Sequence, residues 1–180
     1  AVGSKVYFAP LAWDNVGVMD ANTDTFSEIS IGPKIIRDGL AALEDFAKYS
    51  DATAVGTKVF FTPFSVDNIG VLDTVTSAFS TISTLNQHAN VTGEAKYMGA
   101  TAIGMTIYFA PSGDNVGILE TVTNAFTTLS TFSPKLPEGP HDWEWHFQGE
   151  REQGNMYNGA VAVGTTAVSY THLRAHETHD

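Results

Sequence analysis

Three short apolar runs stand at regular intervals along the chain: Val6-Tyr7-Phe8-Ala9-Pro10, Val59-Phe60-Phe61-Thr62-Pro63 and Ile107-Tyr108-Phe109-Ala110-Pro111. Each is preceded by an apolar-Gly step, at Val2-Gly3, Val55-Gly56 and Ile103-Gly104. Each is followed by Asp14-Asn15-Val16-Gly17-Val18, Asp67-Asn68-Ile69-Gly70-Val71 or Asp114-Asn115-Val116-Gly117-Ile118. A phenylalanine closes each copy (Phe26, Phe79, Phe126), with Ile29, Ile82 or Leu129 three residues on. Runs this short, rich in Val, Ile, Thr, Phe and Tyr and punctuated by Gly, Pro and Asp-Asn, predict β-strands. The third copy divides into strand a at Tyr97–Ile103, strand b at Met105–Ala110, strand c at Val116–Glu120 and strand d at Ala125–Thr131. Gly99, Ala100 and Ala102 suit strand a to a crowded position. The Phe-to-Ile step of three departs from strict alternation and predicts a bulge or strong twist in the outermost strand.

The spacing separates a rigid part from an elastic one. Asp to Phe is 12 residues in every copy and Gly to Asp is 11, 11 and 10, whereas Phe to the next Gly is 30, 25 and 38. Four strands at a period of roughly 50 residues match the blade of a β-propeller, and the 3.6-residue periodicity of helical repeats is missing. The expected fold is therefore all-β: a partial β-propeller of about three four-stranded antiparallel blades, incomplete at both ends. Residues 1–166 form the propeller part, with blade segments 1–30, 47–84, 95–132 and 154–166. Three blade-equivalents fall short of the roughly 4–8 that close a ring.

The unit Tyr97…Gly99-Ala100…Ile103-Gly104…Ile107-Tyr108…Asn115-Val116…Leu119-Glu120…Phe126 resembles a kelch repeat. Asn68-Ile69-Gly70-Val71-Leu72-Asp73-Thr74 is similar to the core of the YVTN-type propeller repeat. Two features depart from kelch: Ala-Pro or Thr-Pro replaces the paired glycines after strand b, and Phe replaces the terminal Trp. The resemblance implies a propeller fold. Some kelch-like propellers are copper radical oxidases built on a Cys–Tyr crosslink, and a chain with 0 Cys cannot carry that centre. At the other end, Ala167–Thr178 resembles a translated sequencing adapter, so residues 167–180 are set apart from the repeat as an adapter-derived tail and the native strand b is expected to follow Thr166. His172, His176 and His179 lie in that tail, so its histidine content carries no metal reading.

Composition narrows the partners. With 43% hydrophobic residues and 16% charged ones the chain can bury a core. The net charge of -11 opposes nucleic acid, which needs clustered Lys and Arg, and no apolar run approaches the ~20 residues of a membrane span. No nucleophile elbow, phosphate loop or fixed zinc pattern is present in the sequence, so neither a catalytic residue nor a cofactor or metal is assigned.

The Asp-Asn pairs Asp14-Asn15, Asp67-Asn68 and Asp114-Asn115 recur in every copy, which favours a turn-stabilising role through bonds to neighbouring backbone N–H groups over a cation-binding ring. Asp20 and Asp73 open the next turn, ahead of Thr23 and Thr76, as Asx-type turns. Two connections stand outside the repeat. Ile36, Leu40, Leu43 and Ala47 fall at helical spacing and predict a short amphipathic helix over Arg37–Lys48. Within the longest connection, Trp143, Trp145 and Phe147 alternate with Asp142, Glu144 and His146. That segment is an inserted strand packing on a blade, an aromatic platform for a sugar or peptide, or a metal site using His141, Asp142, Glu144, His146 or Glu150. The expected function is a propeller scaffold presenting variable loops to a protein or polysaccharide. The alternative is a piece of a propeller enzyme (oxidase, lyase or hydrolase) whose catalytic residues lie elsewhere. Uncovered blade edges are expected to promote self-association.

Overall fold

A computed structural model describes residues 1–32, 47–85, 96–113, 115–130, 160–163 and 166–169. It contains β1 (Lys5–Phe8), β2 (Asn15–Asp20) and β3 (Thr25–Ser30); β4 (Tyr49–Val55), β5 (Lys58–Pro63), β6 (Asn68–Asp73) and β7 (Phe79–Ser83); β8 (Tyr97–Ile103), β9 (Thr106–Pro111), β10 (Asn115–Glu120) and β11 (Ala125–Ser130); and β12 (Ala160–Val163) with β13 (Thr166–Ser169). Chain neighbours pair antiparallel, so the sheets are simple meanders, β1-β2-β3, β4-β5-β6-β7, β8-β9-β10-β11 and β12-β13. The third copy forms its four strands within one residue of the bounds expected from the sequence. Residues 167–169, set apart as tail, form most of β13. Ala47 and Lys48, placed at the end of a helix by the sequence pattern, instead form the irregular lead into β4; residues 33–46 of that reading lie outside the described residues.

Turn chemistry fixes each meander. Val55 pairs with Lys58 across the two-residue loop Gly56-Thr57, and Gly56 has φ 59°, a value an L side chain resists. Between strands c and d the fourth residue of each loop is left-handed, Asp24, Ser77 or Asn124, at φ 51°, 58° and 57°. The Asx-type bonds expected at these loops are present: Asn22 N donates to Asp20 Oδ1 at 3.0 Å, and Val75 N and Thr76 N donate to Asp73 Oδ1 at 2.9 and 3.0 Å. The backbone N–H of Thr76, then that of Val75, holds the exposed Asp73 carboxyl below its ordinary range. Thr74 ties the two loops together, since its N and Oγ1 both donate to Thr57 O, at 2.9 and 2.7 Å.

The outer-strand bulge is not found. Val16 pairs with Ile29 and Met19 with Phe26 in unbroken register. Residues three apart on a strand face opposite ways, so Phe26 and Ile29 serve two different neighbours. The irregularity lies in strand a, between Tyr49 and Asp51 and between Tyr97 and Gly99.

The core lies between the sheets. One cluster joins Val16 and Val18 of the first blade, with Val2, Tyr7 and Ile29 against them, to Tyr49, Val59, Phe61 and Leu72 of the second. The other joins Val55, Phe60, Ile69 and Val71 of the second blade, with Ile82, to Tyr97, Ile107, Phe109, Leu119 and Phe126 of the third. The two clusters match position for position. Each blade therefore offers a forward face of Val, Ile and Tyr or Phe at strands b and c, and a rear face roofed by aromatic rings.

The glycine in the middle of strand c is the footing of that rear face. A Cβ on Gly70 would stand 2.9 Å from Phe79 Cζ and 3.0 Å from Tyr49 Cζ; on Gly117 it would stand 2.9 Å from Tyr97 Cζ. The rings crowd here because Tyr49, Phe61 and Phe79 pack edge to face or tilted, with centroids 5.8 to 6.4 Å apart. Gly70→Ala should accordingly destabilise the chain by about 1–3 kcal/mol through overpacking against two rings. Chemical denaturation would measure it, and an unchanged midpoint would show that the rings yield.

Candidate binding face

Loops between strands b and c share one side of the sheets with the connections that run from strand d to the next strand a. Ile31 N donates to Asp14 O at 3.0 Å and Thr84 N to Asp67 O at 2.9 Å, where those connections leave. Lys48 N donates to Leu11 O, and Lys96 N to Phe64 O at 2.8 Å, where they return. Both ends of these two connections are thus fastened to the b–c loop of the blade they leave. β11 ends on the same side, where Ser130 pairs with Asn115 at the start of β10.

Beneath this face lies a repeated polar stitch. Lys48 Nζ donates to the Asp14 carboxylate and, at 3.0 Å, to Trp13 O. Lys96 Nζ donates to the Asp67 carboxylate and, at 3.0 Å, to Val66 O. The lysine side chains are buried, 8% and 1% exposed, while their aspartates stay 47% and 37% exposed. An ammonium that is buried needs an anion and further acceptors, and the loop supplies both. The residue after each lysine is the tyrosine that opens strand a. Tyr49 OH donates to Asn68 Oδ1 at 2.6 Å, and burial pushes the Tyr49 and Tyr97 phenols well above their ordinary value. The pair Lys48-Tyr49 thus reaches back to the Asp of the previous blade and forward to the Asn of its own.

In the first two copies the side chains of Asp14, Asp67 and Asn68 make links between blades and between strands. In the first copy, Asn15 Nδ2 donates to Glu28 Oε2 at 2.9 Å. Asp114 lies outside the described residues, as do Asp142, Trp143, Glu144, Trp145 and His146.

The structure brings forward a residue that the sequence pattern did not single out. Trp13 is 76% exposed in the b–c loop of the first blade, with Leu11 at 49% beside it. Val66 and Gly113 hold the same register position in the other copies, and Val66 packs against the core. Only this departure from the repeat could have marked Trp13 in advance. Seam position adds rigidity: the carbonyl of Trp13 is held by Lys48 Nζ and that of Leu11 by Lys48 N.

No family model matches the sequence, and no curated protein does. Solved structures match by fold. The RRP9 WD40 repeats match at TM-score 0.51 and 10% identity, over 71% of this chain and 35% of that one. The U3-55K structure matches at TM-score 0.50 and 11% identity, over 71% and 36%. Hydrazine synthase of Kuenenia stuttgartiensis matches at TM-score 0.50 and 15% identity, over 71% and 32%. WD40 repeats build propellers, and the fold here is a partial β-propeller. The chain spans about a third of the length of these structures.

Two measurements probe the stitch. Asp67→Ala leaves the Lys96 ammonium buried without its carboxylate and should cost about 2–4 kcal/mol, at or below the range for a fully buried pair because Asp67 is partly exposed. Lys96→Met should cost less, since a side chain of similar length fills the space without a charge; the fourth copy places Met156 before Tyr157 in this register. Equal losses would mean that packing alone sets the seam. In alkali the tyrosines act with a definite sign. Their folded pKa lies above the unfolded value, so their contribution is complete below pH ~10 and is lost as pH rises beyond it. Thermal melts from pH 8 to above pH ~10 should fall, and Tyr49→Phe should flatten that fall.

Proposed function

We propose that this chain is part of a propeller binding module, of the kelch or YVTN kind, that takes a protein or polysaccharide partner on its b–c face. One observation carries the reading: a tryptophan 76% exposed on a loop whose backbone is fastened at both ends to a blade seam. A large apolar ring in water, on a backbone already held in place, can bind with little backbone ordering cost, and residues of this type dominate interface energetics. Function also concentrates on loops borne by a rigid scaffold. Asp142, Trp143, Glu144, Trp145 and His146, on the connection that follows Ser130, are proposed as further binding residues.

Trp13→Ala should abolish retention in affinity gels cast with soluble polysaccharides, or capture of peptides from a display library. Stability should change by less than about 0.5 kcal/mol, as for other exposed positions. Trp143→Ala and Trp145→Ala should weaken the same binding without lowering the melting temperature. Undiminished binding by Trp13→Ala would overturn the assignment of the face. A loss of about 3–5 kcal/mol in both of the other variants would make those indoles structural.

A further inference from the structure

The a–b and c–d turns share the end of the sheets opposite the b–c loops, and in the third blade these two turns depart from the repeat together. Met105 stands where the other copies have Ser4 and Thr57, Thr106 where they have Lys5 and Lys58, and Val122 where the first copy has Asn22. Met105 is 52% exposed and Val122 72%. Exposed aliphatic side chains scattered singly are ordinary, but these two sit on turns bonded to each other. Thr121 N and Oγ1 both donate to Met105 O, at 2.9 and 2.7 Å, and Val122 is the next residue. Neither apolar side chain is needed to shape its turn. The c–d turn closes through left-handed Asn124 at φ 57° and a bond from Ala125 N to Thr123 Oγ1 at 3.3 Å. The first copy makes the same turn with Asn22 at the tip and Asp24 left-handed at φ 51°, and polar residues of that kind are the usual choice there.

Charge changes at the same corner. Lys5 lies opposite Asp20 and Lys58 opposite Asp73 across strands b and c. Thr106 lies opposite Glu120 instead, and its Oγ1 donates to Glu120 Oε1 at 2.9 Å. Glu120 is exposed and makes no ion pair among the described residues.

We infer that this corner is a second contact surface, which takes a segment of a partner protein whose apolar side chains adjoin Lys or Arg. Apolar side chains on turns already fixed by backbone bonds supply contact area at little ordering cost. The carboxylate beside them, in a chain of net charge -11, selects a cation and rejects an acidic segment. The corner lies at the opposite end of the sheets from Trp13 and is independent of the b–c face.

The probe is a fluorescein-labelled peptide of alternating Leu and Lys, titrated with the full chain and read by anisotropy. Saturable binding is expected, and it should weaken as added salt screens the carboxylate. Peptides of alternating Ser and Lys, or of Leu and Glu, should bind about fivefold more weakly or not at all. The variants return the corner to the residues of the first copy, which the same turns already accommodate: Met105→Ser with Val122→Asn, and separately Thr106→Lys. Each should weaken binding of the Leu-Lys peptide about fivefold or more, with circular dichroism melts establishing that each variant folds. Trp13→Ala should leave this binding unaltered. No saturable binding, equal binding of the Ser-Lys peptide, or full binding by both corner variants would overturn the proposal. So would a loss on Trp13→Ala with the corner variants intact, which would assign the peptide to the b–c face.

Discussion

A four-stranded sheet with two apolar faces has no interior of its own, and everything else in this chain answers that constraint. Among the described residues the large buried apolar side chains sit in two clusters, and each cluster draws its members from two successive sheets. Alternation along the strand makes this possible, because neighbouring residues of strands b and c serve opposite seams. The rings need depth on the rear face, and the strand c glycine supplies it. The repeated motif is thus a description of a seam. Its invariant intervals measure the distance across one sheet from the face that meets the preceding blade to the face that meets the following one.

Apolar burial is non-directional and does not by itself fix how two sheets are aligned. The polar stitch does. One residue, Lys48 or Lys96, spends its backbone N–H on the carbonyl of Leu11 or Phe64, and its ammonium on an aspartate and a second carbonyl of the same loop. Its own carbonyl accepts from Phe64 N or Ser112 N within the new blade, at 2.9 and 3.1 Å. Near the opposite end of strand a, Thr53 Oγ1 donates to Ala100 O at 2.9 Å and Asp51 accepts from Ala100 N at 3.0 Å, joining successive innermost strands. A chain with 9 Lys and Arg against 20 Asp and Glu places two of its few cations in these seams, where carboxylates and carbonyls would otherwise face one another.

Strands, turns and the repeat were legible because they rest on local chemistry: β-branched and aromatic runs, Gly56 at a left-handed hairpin position, and Asp20 and Asp73 at Asx turns. The long-range partners were not. Asp14 and Asp67 looked like local caps because that is the commonest use of Asp in a turn, and nothing local shows that a lysine 34 or 29 residues further on will reach them. The Lys-Tyr pairs at residues 48–49 and 96–97 were the available signal, but a lysine before a strand ordinarily points to solvent. The Phe-to-Ile spacing misled for a related reason: alternation was judged against one face, and these sheets have two. Trp13 stood inside a stretch that otherwise obeys the repeat, and its exposure follows from tertiary placement alone.

Fastening both ends of the first two d–a connections, each to one b–c loop, leaves what lies between free to vary. The segment between Ile31 and Lys48, or between Thr84 and Lys96, is a closed excursion whose mouth is set by backbone bonds on the blade. Lengthening such an excursion adds only a slowly growing closure entropy and leaves the seam untouched. The intervals of 30 and 25 residues between Phe and the next Gly in these two copies are what that freedom permits. For a designer, these are grafting sites. Foreign sequence placed between the two anchors would be displayed on a fixed mouth, and the register of the sheets on either side would be preserved.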